Sequence, residues 1–248
     1  MENETPVYGI VGYPAAHSLS PFMHRAAFSR LGIRAEYRIF ELRPEQLAVF
    51  LKDDAHSLRG FNVTIPFKEH VLPLLDYVTP DARHIGAVNT VKVKSGRLEG
   101  FNTDGQGFLD DLGENSFVTA GKRTAVIGAG GASRAVCYSL AQAGAAELAV
   151  FNRDSRKASS LISCLSEQFP KTSFRQAESI EKLDIPEADL LVNATSVGMK
   201  ADDPALVEPR LLRKELFVYD LVYAPPETKL LRMAKEKGCR YANGLGML

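Results

Sequence analysis

The sequence predicts an α/β fold in two α/β domains, the second doubly wound, with a cleft between them. Three observations lead there. Short apolar strands alternate with helices along nearly the whole chain, which implies parallel sheets covered on both faces. A glycine-rich run, Gly128 to Gly131, leaves an apolar strand and opens a helix. The 248 residues allow one large domain or two modest ones, since domains usually run about 100–200 residues. Within the second half, residues 113–121 are a polar, Gly-flanked connection.

The elements read as follows, in order. Residues 7–11 form an apolar strand that stops at Gly12-Tyr13-Pro14. Residues 21–31 are helical, with Ser20 as N-cap, Pro21 at the first position and Gly32 at the stop. A strand over 36–42 and a helix over 44–51 follow. Residues 60–65 alternate apolar and polar, as in a strand with one buried face, and Pro66 then starts a helix over 67–75. A helical turn at 82–85 precedes a hairpin of 88–93 and 97–101 around Ser95-Gly96. The second unit opens near Asp104 with a helix over 105–112 that can bridge the halves. Strand 123–127, helix 132–143, strand 148–152 and helix 155–168 come next, then strands 190–194 and 217–221. Helix 227–237 ends at Gly238. The domains are therefore 1–103 and 104–237, with 238–248 as a segment returning toward the first.

Composition excludes several classes. Basic and acidic side chains number 30 each, for a net charge of +0. A nucleic-acid binder relying on bulk charge is disfavoured, though a small anionic ligand needs only local positive charge. Cys137, Cys164 and Cys239 are odd in number and widely spaced, which suits reduced thiols rather than a disulfide framework or a metal site. The start, Met1-Glu2-Asn3-Glu4, lacks the features of a signal peptide. No apolar stretch nears the roughly 18 residues of a membrane span. A cytoplasmic protein that binds neither nucleic acid nor membrane is expected.

The chemistry begins at Asn62-Val63-Thr64-Ile65-Pro66-Phe67-Lys68. An amide, a hydroxyl and an amine share one strand-to-helix turn. Read alone, Lys68 is a surface lysine after an ordinary turn. Other segments change that reading. Ser18 and Ser20 stand two residues apart before a helix, Asn89 follows Gly86-Ala87-Val88, and Asp104 closes the first half. With Asn62 and Thr64 they form a set suited to a neutral, multiply hydroxylated ligand, because a site built to bond hydroxyls rejects analogues without them. Tyr223, after the strand 217–221, is a further candidate. Lys68 and Asp104 are the oppositely charged pair in the set. When a hydride leaves an alcohol carbon, the hydroxyl proton must leave as well, and an amine can take it. Asp104 can hold the substrate hydroxyl and orient Lys68, cap its helix, or do both.

The run Gly128-Ala129-Gly130-Gly131-Ala132 has the setting of a dinucleotide loop. The glycines let the backbone approach a pyrophosphate, and the helix N-terminus supplies free N–H groups. Position 133 is Ser where the usual spacing has a third glycine. The next strand ends in Asn152-Arg153, with Arg156 and Lys157 one turn on. NAD sites place an acid there, whereas a guanidinium pairs with a 2′-phosphate, so NADP is favoured. Asp154 can pair with Arg153 or cap the helix. Asn193 to Met199, with Thr195 among its small polar residues, leaves a strand at the edge where ligands bind in open α/β sheets.

Taken together these motifs resemble the shikimate dehydrogenase family, NADP-dependent enzymes of aromatic amino-acid (chorismate) biosynthesis. Ser18-Leu19-Ser20-Pro21, the run from Asn62 to Lys68, Gly86 to Thr90 and Asn102-Thr103-Asp104-Gly105 carry the resemblance in the first half. Gly128 to Ala132, Asn152-Arg153, Asn193 to Met199, Asp220 to Tyr223 and Asn243 to Leu248 carry it in the second. The resemblance implies a Rossmann-type NADP domain after a substrate domain, and reduction of 3-dehydroshikimate to shikimate. It implies Lys68 and Asp104 as the catalytic pair. Ser18, Ser20, Thr64, Asn89, Asp104 and Tyr223 would contact the substrate. Gly128 to Ala132, Asn152, Arg153 and Lys157 would hold the phosphates and adenosine end of the cofactor, with Met199, Leu221 and Gly244 near the nicotinamide. No metal is implied, and the protein would be a monomer or homodimer. Family members continue into a C-terminal helix bearing a substrate-binding Gln, and this sequence stops at Leu248. The rivals are a quinate or dual quinate/shikimate dehydrogenase and a non-catalytic NADP- or shikimate-sensing module. Ser20 and Asn152 disfavour the quinate branch, and the presence of both Lys68 and Asp104 disfavours the sensor.

Overall fold

Strand pairing sorts the chain into two six-stranded sheets. The computed structural model describes residues 5–248; the first four, on which the leader expectation rests, lie outside the described residues. The chain divides into Met1–Thr103 and Asp104–Leu248.

In the first unit the order is β1 (Val7–Gly12), α1 (Ser20–Arg30), β2 (Glu36–Glu41), α2 (Leu47–Lys52), β3 (Gly60–Val63), β4 (Tyr77–Val78), α3 (Pro80–Ile85), β5 (Thr90–Lys94) and β6 (Arg97–Phe101). Its sheet runs β2-β1-β3-β5-β6-β4. β1 pairs in parallel with β2 and β3, while β5 is antiparallel to β3 and β6. The sheet is thus mixed rather than parallel. The hairpin turn at Ser95 and Gly96, both at positive φ, reverses the chain with too few residues for a crossover. Val11, Phe61, Val63, Val88, Val91 and Leu98 fill the core against Phe50 and Leu51 of α2 and Phe67 of the following turn.

Three local expectations are corrected here. Ser20 is the first residue of α1, not its cap. Leu19 holds the cap position without a side-chain bond, and Ser18 Oγ accepts the Ser20 N–H at 3.2 Å. The strand expected to reach residue 65 ends at Val63. The helix expected over 67–75 is a series of turns with one 3-10 piece at Leu72–Leu74, and Pro66 follows a cis peptide bond rather than opening a helix.

The second unit contains α4 (Asp104–Glu114), β7 (Arg123–Ile127), α5 (Gly131–Gln142), β8 (Glu147–Phe151), α6 (Ser155–Gln168), β9 (Ser173–Gln176), β10 (Leu190–Asn193), β11 (Phe217–Asp220), α7 (Lys229–Glu236) and β12 (Arg240–Asn243). All its strand pairs are parallel, in the order β12-β11-β10-β7-β8-β9. Renumbered from the first strand, this is 6-5-4-1-2-3, the doubly wound dinucleotide-binding order. The unit is the Rossmann-type domain expected. Residues 238–248, read from the sequence as a returning segment, contribute β12 to this sheet. The central strands are mainly apolar because both their faces are covered: Ala125, Ile127, Leu191 and Val218 pack with Leu230, Leu231 and Ala234 of α7.

One polar contact ties α4 to this sheet. The Tyr219 hydroxyl of β11 donates to the Asp111 carboxylate, both side chains being buried, and the Phe108 ring meets the Tyr219 ring edge-on. Burial, and then the Asp111 bond, push the Tyr219 hydroxyl far above its ordinary range, so it stays a donor. Asp111→Ala leaves that donor buried and unpaired, and we expect a loss of about 1–3 kcal/mol. Asp111→Leu with Tyr219→Phe removes both partners and should recover most of it. Urea denaturation of the single and double variants checks this; equal losses would show that the bond contributes nothing.

Candidate active site

In the first unit the polar groups gather where β1 and β3 end and the antiparallel β5 begins. β1 and β3 are parallel neighbours, so the segments after Gly12 and Val63 emerge together, with the Thr64 N–H donating to the Val11 carbonyl at 2.9 Å. Asn62 faces Thr90 across the β3–β5 pair, and its Nδ2 donates to Thr90 Oγ1 at 3.2 Å and to the Asn89 carbonyl at 3.4 Å. Thr90 Oγ1 donates in turn to Asn89 Oδ1 at 2.9 Å. Asn89 is buried, and its Nδ2 donates to Thr103 Oγ1 at 2.9 Å. Lys68 is half-buried on the turn after β3, where its carbonyl accepts from Val88 N at 2.7 Å. That backbone bond ties the turn to the segment carrying Asn89. Ser18 and Thr64 are half-buried and Ser20 is buried.

Two residues of this cluster escaped the sequence reading. Tyr37 donates to Asn62 Oδ1 at 2.6 Å, and His24 stacks on Tyr37 with ring centroids 4.3 Å apart. Tyr37 reads in sequence as one more apolar strand residue and His24 as one more polar helix residue. Only the pairing of β1 with both β2 and β3 brings the Tyr37 ring to Asn62.

In the second unit the glycine loop joins β7 to α5. Gly128 has φ +115°, and a Cβ there would come 2.8 Å from the Ala194 carbonyl oxygen. A Cβ at Gly130 would meet nothing within 4 Å. Gly130 caps α5 without a side-chain bond, so the helix N-terminus stays open to an anion. Ser133, where a third glycine is usual, is fully buried and donates to the Gly128 carbonyl at 2.6 Å. It clips the loop instead of thinning it. The cradle fits a pyrophosphate.

At the end of β8, Asn152 Nδ2 donates to the Asp154 carbonyl at 2.9 Å. Asp154 caps α6 by accepting the Arg156 N–H at 3.1 Å and pairs with the Arg156 guanidinium. The Arg156 contact holds the Asp154 carboxyl below its usual range. Arg153 and Lys157 are exposed nearby. The loop after β10 is built on Asn193, whose Oδ1 accepts from Thr195 N and Oγ1 at 3.0 and 2.7 Å. Its Nδ2 donates to the Val197 carbonyl and to Asp220 Oδ1 at 3.0 and 2.8 Å. The Leu221 N–H donates to the Asn193 carbonyl. A Cβ on Gly244 would lie 2.1 Å from the Leu221 carbonyl oxygen, so these two segments meet only because residue 244 is glycine. Met199 is exposed on the same loop as Thr195, and Tyr223 is half-buried beyond β11.

Lys68 thus belongs to the first unit, and Asp104 and Tyr223 to the second. Asp104 is the first residue of α4, inside the helix rather than before it. Among the described residues no group of His, Cys, Asp or Glu is placed to hold a metal ion, and no helix is long and apolar enough to cross a membrane.

Asp220 is fully buried. Burial raises its carboxyl from 3.8 to about 6, against the pull of bonds from Thr228, Val222 and Asn193. The proton-bound form therefore favours the fold. That contribution is complete below pH 3.8 and is lost as pH rises through about 6, a span worth about 3 kcal/mol. Asp220→Asn keeps the geometry. Its Oδ1 can accept from Asn193 and Val222, which both bond Oδ1 now, and its Nδ2 can face Thr228 Oγ1. We expect the variant to gain stability on wild type steadily from pH 4 to pH 7. A difference in unfolding midpoint that is flat across that range would show that Asp220 titrates normally.

Comparisons with known proteins agree with this arrangement. Residues 10–91 match the family described as shikimate dehydrogenase substrate binding domain, and residues 111–223 match shikimate / quinate 5-dehydrogenase. The NADP(+) shikimate dehydrogenase of Caldanaerobacter subterraneus subsp. tengcongensis is 42% identical, over 100% of this chain and 89% of the relative. The crystal structure of shikimate dehydrogenase from Aquifex aeolicus aligns with a TM-score of 0.89 at 42% identity, covering 100% of this chain and 89% of the other. The structure of the Thermus thermophilus shikimate 5-dehydrogenase in complex with NADP(H) and shikimate aligns at 0.87 and 41% identity, covering 98% and 88%. With a doubly wound sheet, an open glycine cradle and kinship over its full length, this chain belongs to the shikimate dehydrogenase family.

Proposed function

We propose that the chain catalyses the reversible NADPH-dependent reduction of 3-dehydroshikimate to shikimate in the biosynthesis of aromatic amino acids. One observation carries this: a chain 42% identical over its whole length to an NADP(+) shikimate dehydrogenase keeps a lysine at 68 and an aspartate at 104 in the motifs of that family. We place the reaction in the cytoplasm, where the three cysteines stay reduced, and its unit of action is a monomer or homodimer.

Residues 1–103 bind the substrate and residues 104–237 the cofactor, with 238–248 returning toward the substrate. Gly128, Ala129, Gly130, Gly131 and Ala132 hold the NADP pyrophosphate against the open end of α5. Asn152, Arg153 and Lys157 hold the adenosine end, where a guanidinium pairs with the 2′-phosphate. Thr195, Met199, Leu221 and Gly244 border the nicotinamide. The bound cofactor supplies or accepts the hydride. Lys68 takes the hydroxyl proton when shikimate is oxidised and returns it on reduction. Asp104 holds the same hydroxyl and orients Lys68. Ser18, Ser20, Asn62, Thr64, Asn89 and Tyr223 grip the remaining polar groups, so the pocket rejects analogues that leave them unpaired.

A quinate or dual enzyme is the second reading, because one of the two family descriptions names quinate beside shikimate. Ser20 and Asn152 weigh toward shikimate and NADP. Initial rates with shikimate and quinate, each with NADP and NAD, separate the readings. Turnover with shikimate and NADP is expected to dominate. Equal rates with quinate would favour the dual enzyme, and absence of turnover with retained NADP binding would favour a sensor.

Lys68→Ala should leave NADP binding intact and lower kcat by about 10²–10⁴, the range for loss of a general acid–base group. Near-normal turnover would remove Lys68 from the proton step. Arg153→Ala should raise the KM for NADP more than that for NAD. Equal effects on the two cofactors would show that Arg153 does not read the 2′-phosphate.

A further inference from the structure

The Asn62 carboxamide is gripped at both ends. Its oxygen accepts from the Tyr37 hydroxyl at 2.6 Å, and His24 interacts with the same side chain in the sense that favours the protonated ring. Its nitrogen donates to the Asn89 carbonyl and to Thr90 Oγ1. A carboxamide has one accepting and one donating end. A donor on one side and acceptors on the other fix which end faces which way.

The sense of donation then continues. Thr90 Oγ1, having accepted from Asn62, donates to Asn89 Oδ1 at 2.9 Å, where the Thr103 N–H also donates at 3.0 Å. With its oxygen occupied, Asn89 is left to act through Nδ2, which donates to Thr103 Oγ1. Bonds running in one direction polarise one another. At the other end of the chain the Ser20 hydroxyl bonds Tyr37. Burial keeps Tyr37 protonated, hence a donor, and holds the His24 ring below its usual range, hence neutral near pH 7. Tyr37 is 2% exposed, and its ring lies on that of His24 with 9° between planes. Neither residue carries chemistry of its own in the reaction described above.

We propose that Tyr37 and His24 are positioning residues for the substrate: together they orient the Asn62 carboxamide and, through Thr90, that of Asn89. This rests on the reading of Ser20, Asn62 and Asn89 as substrate contacts. It explains why a buried phenol and an imidazole stand behind amides that a packing role would not need to orient.

Tyr37→Phe tests it, because the ring and its stack remain and only the hydroxyl is lost. We expect the KM for shikimate to rise about tenfold, the equivalent of one lost hydrogen bond, with kcat and the KM for NADP nearly unchanged. His24→Phe should act alike. The double variant should fall short of the product of the two, since both act on one carboxamide. A lowered Tm with an unchanged KM for shikimate would mean packing alone and overturn the proposal, as would a parallel rise in both KM values. The Asn62 side-chain amide resonances of the ligand-free protein give a second readout, expected to shift in both variants. Absence of shikimate turnover in the unmodified chain would sink the functional reading, whereas unmoved Asn62 resonances would sink the positioning itself.

Discussion

Parallel strands run out of ladder partners at their carboxyl ends, and the backbone groups there still need satisfying. This chain meets that need with buried side-chain amides and one buried carboxylate. In the second unit Asn193 replaces the missing strand bonds: it accepts from Thr195 and donates to the Val197 carbonyl. Asp220, one strand away, holds Asn193, Val222 and Thr228. In the first unit Asn62, near the end of β3, and Asn89, just before the antiparallel β5, tie their segments by side-chain bonds in the same way. The groups that end the sheets are therefore the groups that shape the binding loops. Burying the Asp220 carboxylate is costly, and three hydrogen bonds offset the cost only in part, as its raised pKa shows.

The division of labour follows from that arrangement. Open α/β sheets bind ligands beyond the carboxyl ends of their strands, and loops can vary there without disturbing the core. The sheet of the second unit is wholly parallel, and its central strands β7, β8, β10 and β11 carry mainly packing side chains until their carboxyl ends. Chemistry begins at those ends. At β7 the change from Ile127 to Gly128 marks it, and at β10 the change from Val192 to Asn193.

Much of this was legible in the sequence. The strand of Arg123–Ile127 and the helix of Ser155–Gln168 stand where apolar runs and turn residues placed them, because a two-sided buried sheet leaves a strong signal. β9 and β12 were missed. Ser173-Phe-Arg-Gln and Arg240-Tyr-Ala-Asn are short, half-polar edge strands with little apolar pattern to find. Residues 67–75 misled for another reason: the apolar spacing of Phe67 and Val71 is helical, and a bond from the Val71 N–H to the Phe67 carbonyl does form, but the segment then tightens to a 3-10 turn at Leu72–Leu74. In the site, the polar ends of the motifs were visible, while Tyr37, His24 and the Asn193–Asp220 pair were not singled out. Their roles come from contacts between strands distant in sequence, which no local pattern encodes.

The acid beside the end of β8 carries a lesson about occupancy. Asp154 lies three residues beyond a strand end where an acid would ordinarily suggest ribose recognition, yet its oxygens are already committed to the Arg156 backbone and guanidinium. Counting charges near that strand end would therefore mislead; what a ligand meets is set by which lone pairs are still unclaimed. Redesign toward the other cofactor would have to install its acid at Asn152. That exchange would also remove the Asn152 amide from the Asp154 carbonyl, so altered cofactor choice and a looser start to α6 would arrive together.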